Sequence, residues 1–366
     1  MHVLIDARMV SKQNFGISRY VYGLISALIQ IDKKNRYSLL VKDDFLAPLI
    51  KEHDNFSLVR ARAKWLSLAE QFELPWLIKK LKPDLFNCTI SVPFILPCPT
   101  LVTIHDLIHL KYPEHYSLRH KIYYRIFFRS IIKKLKGIIT VSEASRKDIA
   151  YYYAVPETEI DIARPAVGAE FHKIMDKTEV DRFKKERGLP EKFMLYVGNR
   201  KKHKNVAGLV KAYALLPDRI KEQYALVLSG ASDPALEDLA RGQKVADRIR
   251  YLGNILDEEL PLAYNAAELF VFPTLYEGFG MPPLEAMACG VPVVTSNVAS
   301  IPEVVGDAAV LVDPKNTREL AEAMARVLEN GDLKAQLRSR ALEQARRFTW
   351  EECAQNTLRT YQEALT

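Results

Sequence analysis

Short runs dominated by Val, Ile and Leu recur along the first part of the chain, as HVLIDA from His2, PTLVTIH from Pro99 and GIITV from Gly137. Between them lie segments of helix length, including Ile17–Ile31 and 117–136. Continuous apolar runs alternating with helices predict a parallel sheet covered on both faces. The same grammar restarts at FMLYVG from Phe193. It continues through YALVLSG (Tyr224), IRYLGN (Ile249), LFVFP (Leu269), PVVTS (Pro292) and AAVLVD (Ala308). A polar stretch punctuated by Pro and Gly, 164–190, separates the two sets and reads as a linker, and a last helical segment covers 349–365. The fold class is therefore α/β, with two Rossmann-like parallel-sheet domains over 1–170 and 171–348 and a closing helix, 349–366, expected to pack on the first. No short-period repeat is present. Ligands of open parallel sheets sit outside the carboxyl ends of the strands, so two such sheets imply an interdomain cleft.

Composition places the chain among ordinary globular proteins, with 366 residues, 48% hydrophobic and 27% charged. The first residues read as a strand rather than a basic segment leading into a signal-length apolar run, and no run reaches membrane-spanning length, so a cytoplasmic protein is expected. Cys88, Cys98, Cys289 and Cys353 show neither CxxC pairing nor a dense framework, which argues against disulfide staples and thiolate zinc sites. Residues 1–175 carry 26 Lys and Arg against 17 Asp and Glu, while the remainder carries 26 against 28. The basic half suits an anionic partner. Within it, 117–136 mixes Arg119, Lys121, Arg125, Arg129, Lys133, Lys134 and Lys136 with Tyr123, Tyr124, Phe127 and Phe128. That composition fits either peripheral contact with an anionic membrane or a half-buried helix whose aromatics pack on the sheet. Nucleic acid is not an expected partner.

Candidate chemistry concentrates in LFVFPTLYEGFGMPPLEAMACGVPVVTS, 269–296. A strand ends at Pro273, a glycine loop holds Glu277, and a helix opens near Pro282 and Pro283 with Glu285 in its first turn and Gly290 beyond its end. The amides of Gly278, Phe279, Gly280 and Met281 can then point at an anion, assisted by the helix dipole. Glu277 and Glu285 flank the same helix mouth, where carboxylates accept from sugar hydroxyls. Either glutamate alone is explained by the dipole or by solvent. Glycines on both sides favour a site.

A second cluster, Asn199, Arg200, Lys201, Lys202, His203, Lys204 and Asn205, follows the FMLYVG strand. A charge run is usually a solvated face, but cations at a strand end just before a helix suit a diphosphate. In the first half, Gly16 opens the helix after the first strand, as a helix entry or as a close approach to phosphate or sugar. His105 and Asp106 end the PTLVTIH strand. His109 lies four residues on, but HDLIH lacks the glutamate of a zinc-protease helix and no third ligand is evident, so a metal site is not expected there.

The EGFGMPPLEAMACGVPVV segment closely resembles the signature of family 4 retaining glycosyltransferases, whose fold is two Rossmann-like domains facing one cleft (GT-B). THDLIHLKYPEHY, around His105, resembles the branch that builds mannose-containing surface polysaccharides. The resemblance implies that Glu285 binds the donor ribose, that Glu277 contacts the transferred sugar, and that the amides of Phe279, Gly280 and Met281 hold sugar and phosphate. It further implies an Arg and a Lys, here Arg200 and Lys204, on the donor diphosphate, and His105 beside the donor sugar. Many relatives place the arginine directly after the glycine, where this chain has Asn199. The activity implied is metal-independent transfer, with no cofactor, from a nucleotide-diphosphate sugar such as GDP-mannose to a glycan or lipid-linked glycan. A nucleotide-sugar epimerase, a phosphorylase or a noncatalytic glycan-binding subunit can share the architecture. An NAD dehydrogenase fits worst, because no complete GxGxxG follows the first strand.

Overall fold

The computed structural model describes residues 1–11, 16–89 and 91–366, the side chains of His115 and Arg119 excepted. Gln13, Asn14 and Phe15 before Gly16, and the Arg119 side chain of the basic stretch, therefore lie outside the described residues. Two compact units emerge: residues 1–166 with 349–366, and residues 167–348. The boundary lies slightly upstream of the sequence-based one at 170/171.

The first unit holds a seven-stranded sheet of β1 (His2–Asp6), β2 (Arg36–Val41), β3 (Phe56–Arg60), β4 (Leu85–Cys88), β5 (Thr100–Ile104), β6 (Gly137–Thr140) and β7 (Ile160–Ile162). The second holds six strands: β8 (Phe193–Tyr196), β9 (Ala225–Leu228), β10 (Ile249–Tyr251), β11 (Leu269–Phe272), β12 (Val293–Ser296) and β13 (Val310–Val312). Every strand pairing is parallel. The orders are β3-β2-β1-β4-β5-β6-β7 and β10-β9-β8-β11-β12-β13. Both follow the doubly wound order, which reverses direction between β1 and β4 in one sheet and between β8 and β11 in the other. Central strands are buried along their whole length, as a sheet covered on both faces requires.

Four strands escaped the apolar-run reading. β2 (RYSLLV) and β3 (FSLVR) carry polar residues, β4 is only LFNC, and β7 only IDI. Pairing, not local hydrophobicity, defines them: Val3 of β1 lies between Tyr37 of β2 and Leu85 of β4.

Two further expectations are corrected. The 164–190 stretch is no simple linker, because the helix Lys177–Glu186 forms within it, capped by Asp176 accepting from the Thr178 amide at 2.9 Å. The single helix expected over 117–136 is broken into Leu118–Ile122, a π turn Tyr123–Phe127, Phe128–Ile131 and a 3₁₀ turn Ile132–Lys134. At the π turn the buried Tyr123 hydroxyl donates to the Val92 carbonyl and accepts from the Val92 amide, both at 2.8 Å. That doubly satisfied contact gives a physical reason for widening the helix there.

The helix Trp350–Glu363 belongs to the first unit. A Cβ on Gly23 of the Ile17–Ile31 helix would lie 2.3 Å from the Trp350 ring, so glycine is what lets the indole sit there. At the other end the Tyr361 hydroxyl accepts from Asn87 Nδ2 of β4 at 2.6 Å. All four cysteines are free thiols. Among the described residues no helix is long and apolar enough to cross a membrane.

Candidate active site

The second sheet's reversal puts the loops after β8 and β11 side by side, outside the carboxyl ends of adjacent strands. The β8 loop leads through a 3₁₀ turn, Lys202–Lys204, to Asn205, whose left-handed φ of 56° starts the helix Val206–Ala214. Asn205 Nδ2 donates to the Pro314 carbonyl at 2.7 Å, which anchors the turn. The β11 loop is stitched to it: the Leu275 amide donates to the His203 carbonyl at 2.6 Å. Ser296 Oγ donates to the Thr274 carbonyl at 2.6 Å from β12. Ser300, itself buried, lies 2.6 Å and 3.0 Å from the carbonyls of Phe279 and Glu277.

This scaffold brings Lys204 and Glu277 together. Lys204 Nζ lies 2.6 Å and 2.8 Å from the two oxygens of the Glu277 carboxylate, with both side chains 13% exposed. Thr274 Oγ1 donates to Glu277 Oε1 at 2.8 Å, and the Lys204 ammonium also lies 5.2 Å from the centroid of the Phe272 ring. Mostly screened from water, the pair is held at a fixed spot with far less dielectric screening than a surface ion pair.

Gly280 caps the helix Met281–Ala288 with φ 117°, and a Cβ there would meet Ile301 Cδ1 at 2.7 Å. The positive φ is what favours glycine here, since the Ile301 methyl is the movable end of its side chain. Pro282 and Pro283 lack amide protons, so the donors at this helix mouth end at Met281. Gly278 and Phe279 form the preceding loop, with the Phe279 ring buried edge-on against Phe348 at 5.6 Å.

Glu285 sits deeper than its place in a first helical turn implies. It is 1% exposed, and its Oε2 accepts from the hydroxyl of Tyr264, also buried, at 2.8 Å. Its charge, after burial itself, pushes the nearby Cys289 thiol upward in pKa. Arg200 makes different contacts. Its guanidinium lies over the Tyr251 ring at 5.0 Å and Nη2 donates to the Ser229 carbonyl at 3.2 Å. There the ends of β9 and β10 are tied by a two-way bridge between Gly230 and Gly253, at 3.0 Å and 3.2 Å.

In the first unit, Gly16 precedes the helix Ile17–Ile31 with φ 43° and leaves open space where a Cβ would be. His105 follows β5 and meets Tyr20 edge-on at 4.7 Å. Its Nε2 is buried with no hydrogen-bond partner among the described residues, and burial lowers its pKa to about 4. A neutral imidazole at neutral pH offers one donor and one acceptor. Asp106 Oδ1 accepts from the Ile108 amide at 2.9 Å, a contact local to the turn. His109 packs on Tyr124 at 3.7 Å and burial lowers its pKa to about 3. Among the described residues no group of three or more His, Cys, Asp or Glu is arranged to hold a metal ion.

Sequence reasoning missed the charged cluster at the first sheet's reversal. Arg8 donates twice to Asp6 at 2.7 Å and lies 2.8 Å from Glu70, with all three side chains buried. Its Nη1 has no partner among the described residues. The only signal was an acid ending an apolar strand and a base two residues on. Tyr264 was missed as well, because nothing local links it to Glu285.

Residues 16–171 match the family model described as Glycosyltransferase Family 4, and residues 177–346 the one described as Glycosyl transferases group 1. The chain is 35% identical to O-antigen chain mannosyltransferase B of Escherichia coli over 71% of its own length and 69% of that protein. It is 28% identical to the serotype-specific mannosyltransferase WbdA of Escherichia coli over 96% of its own length, and there it spans only 46% of the relative. Among solved structures, sucrose-phosphate synthase from Thermosynechococcus elongatus superimposes with a TM-score of 0.78 at 20% identity, covering 99% of this chain and 98% of that one. With its two parallel-sheet units and both family segments in order, the chain belongs to the group 1 and family 4 glycosyltransferases of the GT-B fold.

Proposed function

We propose that this glycosyltransferase moves mannose, from GDP-mannose, to a glycan or lipid-linked glycan with retention of anomeric configuration. The observation that carries the reading is the Lys204–Glu277 pair at the second sheet's reversal. Similarity to O-antigen chain mannosyltransferase B supports the choice of mannose.

Breaking the bond between sugar and diphosphate leaves negative charge on the leaving phosphate and positive charge on the ring. Lys204 and Arg200 offer fixed cations to the phosphate, and the amides of Gly278, Phe279, Gly280 and Met281 add donors at a helix mouth. Glu277, with its carboxylate oriented by Lys204 and Thr274, faces the sugar and stabilises the developing ring charge. Glu285, oriented by Tyr264, takes the ribose hydroxyls. The bridge between Gly230 and Gly253 fixes the start of 253–257, which in this proposal meets the donor's base. His105, held neutral, positions a sugar hydroxyl, and Asp106 orders the turn behind it. Because lysine, arginine and amides supply the positive potential, transfer is expected without a divalent metal.

The test is transfer from a panel of nucleotide sugars, with and without EDTA. GDP-mannose should give acceptor-dependent product at an unchanged rate in EDTA. Activity abolished by chelation and restored by magnesium would overturn metal independence. Release of nucleoside diphosphate without acceptor-linked product would favour an epimerase, and phosphate-dependent glycan cleavage a phosphorylase.

A further inference from the structure

The helix Leu68–Leu81 presents an apolar face that its own unit does not cover. Leu68, Phe72 and Trp76 are 80%, 75% and 59% exposed. At about 100° per residue they fall within roughly 80° of one another on one side of the helix. The opposite side is buried through Leu74, Leu77 and Ile78. Exposed aromatics scattered singly need no explanation, but three large apolar side chains in a row do.

The face continues beyond this helix. Gln71 Oε1 accepts from the Phe94 amide at 2.8 Å, and the half-exposed Phe94 ring lies 4.9 Å from that of Phe127. Phe127 closes the π turn of the basic stretch, whose Leu118, Ile122 and Ile126 are also exposed. Tyr123 and Phe128 of that stretch turn inward and are buried. One stretch thus splits its aromatics between the core and the surface.

Cations border the apolar side chains at both ends. Lys79 and Lys80 are exposed in the last turn of the Leu68–Leu81 helix, with Lys80 Nζ 5.1 Å from the Trp76 ring. Arg125, Arg129 and Lys133 are exposed along the other segment. Aromatic side chains lined by lysines and arginines are the chemistry of a surface that inserts its rings at the headgroup level and pairs its charges with anionic lipid.

We infer that the Leu68–Leu81 helix, Phe94 and the π turn form one docking face for an anionic bilayer. The inference rests on the lipid-linked acceptor proposed above: a soluble enzyme meets such an acceptor only at the membrane. It adds the helix face that charge and composition did not single out.

The experiment is sedimentation of the full chain with vesicles of phosphatidylcholine, alone or mixed with an equal part of phosphatidylglycerol, in the absence of any nucleotide sugar. The protein should follow the mixed vesicles, stay behind with phosphatidylcholine alone, and detach at high salt. Phe72→Ser with Trp76→Ser should weaken binding about tenfold or more, and Lys79→Glu with Lys80→Glu should also weaken it. Both pairs are exposed, so their melting temperatures and transfer rates to a water-soluble acceptor should match the parent. Wild-type protein left in the supernatant, or a Phe72→Ser/Trp76→Ser variant that sediments as well as the parent, would overturn the inference. So would a dimer in solution that the double variant dissolves, because the face would then belong to a second copy. Sedimentation needs no catalysis, so loss of docking with soluble-acceptor transfer intact counts against this face alone.

Discussion

Lys204 and Glu277 are 73 residues apart in the chain, yet the ammonium sits within 2.8 Å of both carboxylate oxygens. Residues this close, sharing Thr274 and one desolvated spot, act as a unit, and paired effects then fail to add. Lys204→Met and Glu277→Gln should each lower kcat about 100-fold. The double variant should be little worse than either, with a coupling of about 2–3 kcal/mol. Steady-state kinetics on all four proteins decides this, and additive losses would mean the pair is not functionally joined.

Glu285 should behave differently. In its proposed role at the donor ribose it would act in ground and transition states alike, so Glu285→Gln should mainly raise the donor KM. The amide oxygen can still accept from Tyr264. Glu285→Ala should carry an added stability cost of about 1–3 kcal/mol, because it strands a buried hydroxyl. Thermal melts beside the kinetics separate the two effects. A Glu285→Gln enzyme that is dead at saturating donor would contradict the assignment.

Gly280→Ala tests the helix mouth. The strain of φ 117° should cost about 1–3 kcal/mol and raise the donor KM, with the Ile301 methyl moving aside. In a domain of this size that corresponds to a melting temperature lower by about 2–4 °C per kcal/mol. An alanine variant with unchanged melting and KM would show that the mouth needs no glycine.

His105 provides a pH test. Its folded pKa, about 4, lies below the ordinary histidine value, so between these values the unfolded chain binds more protons. Stability should therefore fall as pH drops from about 6.5 towards about 4, and His105→Asn should flatten part of that slope. An NMR titration of the ring gives the pKa directly. A midpoint near 6.5 would contradict a buried neutral imidazole.

The parts legible in the sequence were those written in local pattern. Runs such as LFVFP and PVVTS gave their strands, and GFGMPP gave a glycine-capped helix after a loop. β2, β3, β4 and β7 were not legible, because their polar residues are accommodated by neighbours fixed only in three dimensions. In the site, EGFG and KHKN each marked a position, but their contact depends on strand order. Nothing in sequence spacing places β8 beside β11. The depth of Glu285 was hidden for a similar reason, since the helix carrying Tyr264 packs against it from outside the motif. That Arg200 follows a strand was legible, but its stacking on Tyr251 depends on β10.

The most direct test of the account is the anomeric configuration of the product. Purified enzyme, GDP-mannose and an undecorated glycan acceptor are incubated, and the new linkage is read by NMR from the C1–H1 coupling. The account predicts an α-mannoside, retaining the configuration of the donor, with one GDP released per linkage and formation strongly reduced in Glu277→Gln. A β-linked product, or an α-linked one formed equally well by Glu277→Gln, would contradict it.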